Sequence, residues 1–252
     1  MFKIKLNKST YVMIAFMITT IGNSNFLTAR GLDEVVTYFG IGLLLYGIII
    51  GRYKNRRKNR KIHKETFRLF LIVEFFFSVG ILAQNIGLAL KIKLLLTMFF
   101  VAAFALLSCD FVDSLEMARH AAYGILWGTI VTTCLAIIGG NSLTSLAVEG
   151  ARSSGFNGGL QHKNYYACAM LAVFSIFYLC EKYQKQTKNS RKIIALSVVL
   201  LVLSNSRGAL IMTFVFLIVA HYDALLKIKS SQRGLFILLL CGIAAVGGVL
   251  FY

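Results

Sequence analysis

The chain is predicted to be an all-α, polytopic integral membrane protein with about nine transmembrane helices and a cytoplasmic amino terminus. Three observations predict this. Of its 252 residues, 58% are apolar, and the mean hydropathy is +0.73. Only 15% are charged, against about 25% in soluble domains. The 27 Lys and Arg, against 10 Asp and Glu, punctuate long apolar runs instead of covering a water-facing surface. The same figures exclude a disordered chain, which would be polar and poor in aromatics. They also exclude a soluble basic nucleic-acid binder, so nucleic acid is not an expected partner.

A membrane-crossing helix needs about 20 mostly apolar residues. Nine segments qualify or nearly qualify: 10–28, 34–51, 69–90, 94–109, 118–138, 165–180, 193–204, 208–222 and 234–252. The first lacks a small-residue cleavage site and runs on into another span, so it reads as a retained helix. No linker or soluble insert separates the spans, and residues 1–252 read as one membrane domain. The chain has no proline, so no span carries an obligatory proline kink. The five cysteines form no CxxC pair and read as packing residues, with no disulfide framework or metal site implied.

Charge orients the spans, because basic residues are retained on the cytoplasmic side. With the amino terminus inside, 21 of the 27 Lys and Arg fall in cytoplasmic segments. Nine of them lie in the loop at 51–68. That loop reads as a topology anchor against anionic lipid. Residues 110–120 are predicted to form a short interfacial helix on the same face. Glu74 lies about 8 Å into the third span. It is either functional or able to reach back to the basic loop.

The outer face keeps six basic residues: Arg30, Lys91, Lys93, Arg152, Lys163 and Arg207. Two outer segments concentrate polar chemistry. The first, 139–163, contains six glycines together with Arg152, His162 and Lys163. It is either a flexible surface connection or a loop whose glycines let backbone approach a ligand. Asn164 follows as the expected N-cap of the sixth span. The second is Ser204–Asn205–Ser206–Arg207–Gly208, inside an apolar stretch from Ile193 to Tyr222. One long helix would strand Arg207 in the bilayer, at about 2.5–3.5 kcal/mol. A hairpin with its tip at Ser204–Gly208 avoids that cost. Its first arm, 193–204, is about 18 Å long as helix, short of the roughly 30 Å hydrocarbon core. The tip and Arg207 are therefore expected in a protein-lined cleft below the outer surface.

A recessed guanidinium suits phosphate oxygens, which it grips through a planar fork of donors. Ser204 and Ser206 offer hydroxyls, and Arg152 a second guanidinium. Two arginines on one diphosphate would suit an isoprenoid-linked substrate. The other reading is a structural arginine bonded to backbone carbonyls.

The two outer segments, in this order, resemble the O-antigen ligase/polymerase family, which includes bacterial surface-polysaccharide repeat-unit polymerases. Arg152, Gly155, Phe156, His162, Lys163 and Asn164 resemble an R…GF…HPN pattern entering a span. Ser204, Ser206 and Arg207 resemble the SxSR motif of the next outer hairpin. The resemblance covers 145–222. Lys163 departs from it, standing where the family has proline, and the glycine-rich insert is long. Family members usually continue into a further large outer loop, so the chain is expected to be truncated or split, a fragment, or a short relative.

The resemblance implies glycosyl transfer at the outer face of the plasma membrane, in capsule or exopolysaccharide assembly. The donor would be an undecaprenyl-diphosphate-linked oligosaccharide repeat and the acceptor a second lipid-linked glycan. Arg152 and Arg207 would hold the diphosphate, and His162 would orient the acceptor or act as base. Asn164, Ser204 and Ser206 would contribute to substrate binding, and Glu149 is a weaker base candidate. No metal or cofactor is expected. Membrane lipid, a flippase and chain-length regulators are the expected partners. Two other functions fit the hydropathy: a transporter or flippase for lipid-linked sugars, and a non-catalytic subunit of a polysaccharide assembly complex. Transport would need a polar pathway across the bilayer, and within the third span only Ser78, Gln84 and Asn85 are uncharged polar residues.

Overall fold

The structure is a computed structural model, and it describes residues 7–55, 115–141, 155–184 and 188–221, with scattered positions between 71 and 114. Seven helices make up the elements among these residues. They are α1 (Lys8–Gly22), α2 (Asn25–Thr28), α3 (Asp33–Asn55), α4 (Leu115–Ile138), α5 (Lys163–Gln184), α6 (Lys188–Leu203) and α7 (Arg207–Ala220). The only strand-like pairing among the described residues is one antiparallel bridge, Ser24 with Leu160. Among the described residues three helices are long and apolar enough to cross a membrane: Asp33–Ile50 within α3, Leu115–Ile138 and Lys163–Gln184. The chain divides into two compact units, Met1–Ile41 with Leu115–Tyr252, and Gly42–Ser114.

In the first unit α1 lies along α4 through small residues. Gly124 and Gly128 are buried in α4 with Thr132 and Ala136, at the i, i+4 spacing of one helix face. A Cβ on Gly124 would lie 2.2 Å from the Met13 carbonyl oxygen, and one on Gly128 would lie 2.6 Å from Thr20 Cβ. Such approach lets apolar helices gain dispersion and packing where lipid offers no hydrophobic drive. Two threonines of α1 satisfy their hydroxyls inside their own helix: Thr19 donates to the Ala15 carbonyl and Thr20 to that of Phe16, each at 2.8 Å. Gly124→Leu is therefore expected to cost about 1–3 kcal/mol. Thermal unfolding in detergent should show a clear drop in midpoint, and an unchanged midpoint would show that α1 does not lie there.

The opposite face of α4 is also apolar. Trp127, Ile130 and Ile137 recur on one face and are exposed. A helix apolar all round, with one side free of protein, suits a lipid-facing span. In the second unit Leu71, Phe75, Val79 and Leu82 are likewise exposed at helical spacing.

α5 is central, packed on α4, α6 and α7. Its buried side chains are Tyr166, Ala167, Met170, Val173, Phe174, Phe177 and Cys180. α6 runs antiparallel to it and α7 parallel, so Ser204–Ser206 is the tip of a hairpin. The end of α7 is held beside that of α5, where Tyr178 pairs with His221 and Lys182 donates to the Ala220 carbonyl. Arg191 on α6 meets Glu181 on α5 at 2.6 Å.

Three expectations change here. Residues 115–120 are the first turns of α4 and form no separate interfacial helix. The expected span 10–28 is interrupted, because α1 stops at Gly22. Beyond it the backbone at 23–25 bonds to another loop: Gln161 N–H donates to Asn23 O at 3.0 Å, and Asn25 N–H to Gly159 O at 2.8 Å. The first hairpin arm starts at Lys188, not 193, and has 16 residues, about 24 Å of helix. Arg152, Glu149, Glu74, Gln84, Asn85, residues 56–68 and the expected last span lie outside the described residues.

Candidate functional site

The ends of α1, α4 and α6 and the starts of α5 and α7 gather at one end of the first unit. The loop 155–162 ties them together. Asn157, Gly158, Gly159 and Leu160 are buried, Leu160 with only 2% of its surface exposed. This part of the glycine-rich segment is thus a buried plug, not a flexible connection.

The glycines make the plug possible. Gly158 and Gly159 have φ of +58° and +77°, in the left-handed region that glycine adopts without strain. A Cβ on Gly158 would meet the Tyr166 ring at 2.3 Å, and one on Gly159 the Thr132 carbonyl at 2.4 Å. The Gly158 carbonyl accepts from both Thr132 Oγ1 and Thr133 Oγ1 at 2.9 Å. Buried backbone oxygen without such partners would be costly. On the other flank Gln161 Nε2 donates to Thr28 Oγ1 at 2.8 Å and to Asp33 Oδ2 at 3.2 Å.

The same loop brings the two polar motifs together. Phe156 N–H donates to the Leu203 carbonyl at 2.9 Å, satisfying one of the free carbonyls at the end of α6. The Phe156 ring meets Tyr166 edge-on, with centroids 5.2 Å apart. At Gly155 a Cβ would lie 2.1 Å from the Ser204 carbonyl oxygen, so only glycine lets the strands of chain touch here. The hairpin tip turns through Asn205, at φ +49°. An asparagine tolerates that region better than most residues.

Ser206 precedes α7, but its hydroxyl does not cap the helix. It donates instead to Asn164 Oδ1 at 3.0 Å, across 42 residues of sequence. Lys163 Nζ donates to the Asn205 carbonyl at 3.3 Å. These two bonds join the start of α5 to the start of α7. Between them opens a cleft of about 550 Å³. It is lined at the helix starts by His162, Lys163, Asn164, Ser206 and Arg207, and farther along the helices by Cys168, Leu171, Ala209 and Met212.

The expected cap is corrected. α5 begins at Lys163, and the His162 ring caps it by accepting the Asn164 N–H on Nδ1 at 3.1 Å. Asn164 is the second helical residue, and its side chain faces Ser206. Ser204 is fully buried and its hydroxyl donates to the Leu201 carbonyl at 2.6 Å. It braces the turn and does not line the cleft. Arg207 is exposed and lines it.

The electrostatics of the mouth are one-sided. Two helix amino termini converge there, each carrying about half a positive charge. Lys163 and Arg207 add full charges, and Arg207 lies near enough to act electrostatically on the Lys163 ammonium. Cations are disfavoured at helix amino termini, so helix stability does not account for their presence. An anion at the mouth would gain from all four features.

The sequence singled out His162, Asn164, Ser206 and Arg207, and they meet at this cleft. Lys163 was a departure from a pattern and is now part of the wall. Asn157, Leu160 and the Thr132–Thr133 pair, which hold the plug, were not anticipated. Compared with protein-family models, with curated proteins and with solved structures, the chain matches none.

Proposed function

We propose that the chain is a membrane glycosyltransferase of the O-antigen ligase/polymerase type. It joins undecaprenyl-diphosphate-linked repeats at the outer face of the plasma membrane. The observation that carries the reading is the hydrogen bond from Ser206 to Asn164 at 3.0 Å. It unites two motifs that charge placement assigns independently to the outside. In this reading the chain has nine spans with its amino terminus in the cytoplasm. The gathering of 23–25, 139–141, 155–163 and 204–207 at one end of the first unit supports that sidedness.

The chemistry follows from the mouth of the cleft. The acceptor hydroxyl oxygen bonds to the anomeric carbon of the donor sugar. The carbon–oxygen bond to the lipid diphosphate breaks, and the diphosphate leaves with the electron pair. Arg207 binds that leaving group, where negative charge develops in the transition state. Arg152 is the second arginine of this proposal. The acceptor proton passes to a base, with Glu149 a candidate. His162 is better suited to orientation than to that role. Its Nδ1 already accepts a backbone N–H. In the neutral ring the proton then sits on Nε2, which donates to a sugar or phosphate oxygen.

Arg207→Ala tests the assignment in cells that depend on this chain for polymer. Polymer should vanish while single lipid-linked repeats accumulate. Unchanged polymer length at normal protein level would defeat it.

A further inference from the structure

We infer that Lys163 and Arg207 together form a two-cation site for a diphosphate group, in which Lys163 supplies the preference for a diphosphate over a single phosphate. This deepens the proposed role of Arg207 and rests on it. Lys163 is the first residue of α5 and Arg207 the first of α7, so both cations flank one opening. The Lys163 stem runs beside Gly155, its Cδ 3.0 Å from where a Cβ on that glycine would stand. Its Nζ is directed to the hairpin tip by the Asn205 carbonyl at 3.3 Å.

The two cations differ usefully. A guanidinium grips one phosphoryl group through paired donors, whereas an ammonium acts as a compact point charge. A ligand with two linked phosphoryl groups can engage both at once, and orthophosphate gains less from the second cation. The lining farther along the two helices continues the match. Asn164, Cys168 and Leu171 share one face of α5, and Gly208 and Met212 one face of α7. Polar groups thus give way to apolar ones along the helices. That gradient fits a diphosphate carrying an apolar chain. Inorganic pyrophosphate presents the same headgroup chemistry.

The competing role for Lys163 is a strut that merely holds the Asn205 carbonyl. Lys163→Gln and Lys163→Arg together separate the two, because glutamine removes the charge and keeps only a shorter amide donor, whereas arginine keeps both a charge and donors long enough to reach that carbonyl. The experiment measures pyrophosphate and orthophosphate binding by calorimetry on the purified chain in nanodiscs. Thermal unfolding accompanies each variant. Lys163→Gln should weaken pyrophosphate about tenfold or more, and orthophosphate much less. Lys163→Arg, which keeps the charge, should recover most of the loss. Equal weakening of both anions, wild-type affinity in Lys163→Gln, or no pyrophosphate binding by the wild type would each overturn the inference. Farnesyl diphosphate identifies the source. Tighter competition than pyrophosphate points to a lipid headgroup and equal competition to a free anion, and the two-cation site stands in both cases. Binding requires neither acceptor nor turnover. A chain that binds diphosphate through both cations yet makes no polymer would therefore defeat the polymerase reading and leave this one intact.

Discussion

On the proposed polymerase function, Gly155→Ala should abolish or nearly abolish polymer formation, although it adds a single methyl group. The added Cβ would lie 2.1 Å from the Ser204 carbonyl oxygen and 2.8 Å from its carbon. Both are backbone atoms, so no side-chain rotation relieves the clash. Either the plug or the hairpin tip must move. Overpacking of this kind costs about 1–3 kcal/mol, which a multi-helix domain can survive. The functional effect is larger, because the same displacement separates Phe156 from Leu203 and Asn164 from Ser206. A shift near 1 Å between groups that act on one substrate costs on the order of 100-fold in rate. Gly208→Ala is the stability control. Nothing lies within 4 Å of a Cβ there, and its unfolding midpoint should match or slightly exceed that of the wild type, since alanine favours helix over glycine. Normal polymer from Gly155→Ala at equal protein level would show that the two motifs need not touch.

The second large effect is graded at Arg207. In the proposed polymerase, Arg207→Ala removes a donor from the leaving diphosphate, a change worth about 100- to 1,000-fold in rate. Arg207→Lys keeps the charge but loses the planar fork that matches phosphate oxygens. It should lie between wild type and alanine, nearer to alanine if bidentate contact dominates. Helix propensity cannot produce this order, because Ala, Arg and Lys all favour helix. Initial rates of polymer growth in membrane preparations would rank the three. Equal rates for all three would assign Arg207 a structural role.

Much of the helical layout was legible because hydropathy and charge act locally. The apolar runs at 34–51, 118–138 and 165–180 each contain most of a long helix. The cost of stranding Arg207 in lipid was enough to predict the hairpin tip. What could not be read were features that depend on partners distant in sequence. Lys188–Lys192 begin α6 although they are too polar for a hydropathy window, since long basic side chains can reach water from a helix end. The break after Gly22 has no proline behind it. It follows from the pairing of 23–25 with Gly159–Gln161, which no local pattern announces.

The site shows the same division. Residue chemistry pointed to His162, Asn164, Ser206 and Arg207. It could not show that Asn164 leaves the capping role to His162 in order to hold Ser206. Nor could it show that glycine at 155 answers to the Ser204 carbonyl. Lys163 was the opposite case: a pattern with proline at that position drew attention to what was missing, not to the charge present. Only the meeting of α5 and α7 gives that charge a neighbour.

The most direct test is turnover by the purified chain. Wild-type protein would be reconstituted into vesicles with an undecaprenyl-diphosphate-linked repeat, and products resolved by length. Ladders of two or more repeats, with release of undecaprenyl diphosphate and loss of both in Arg207→Ala, are the predicted result. Movement of the lipid-linked repeat between leaflets without any ladder would contradict the account and mark the chain as a transporter.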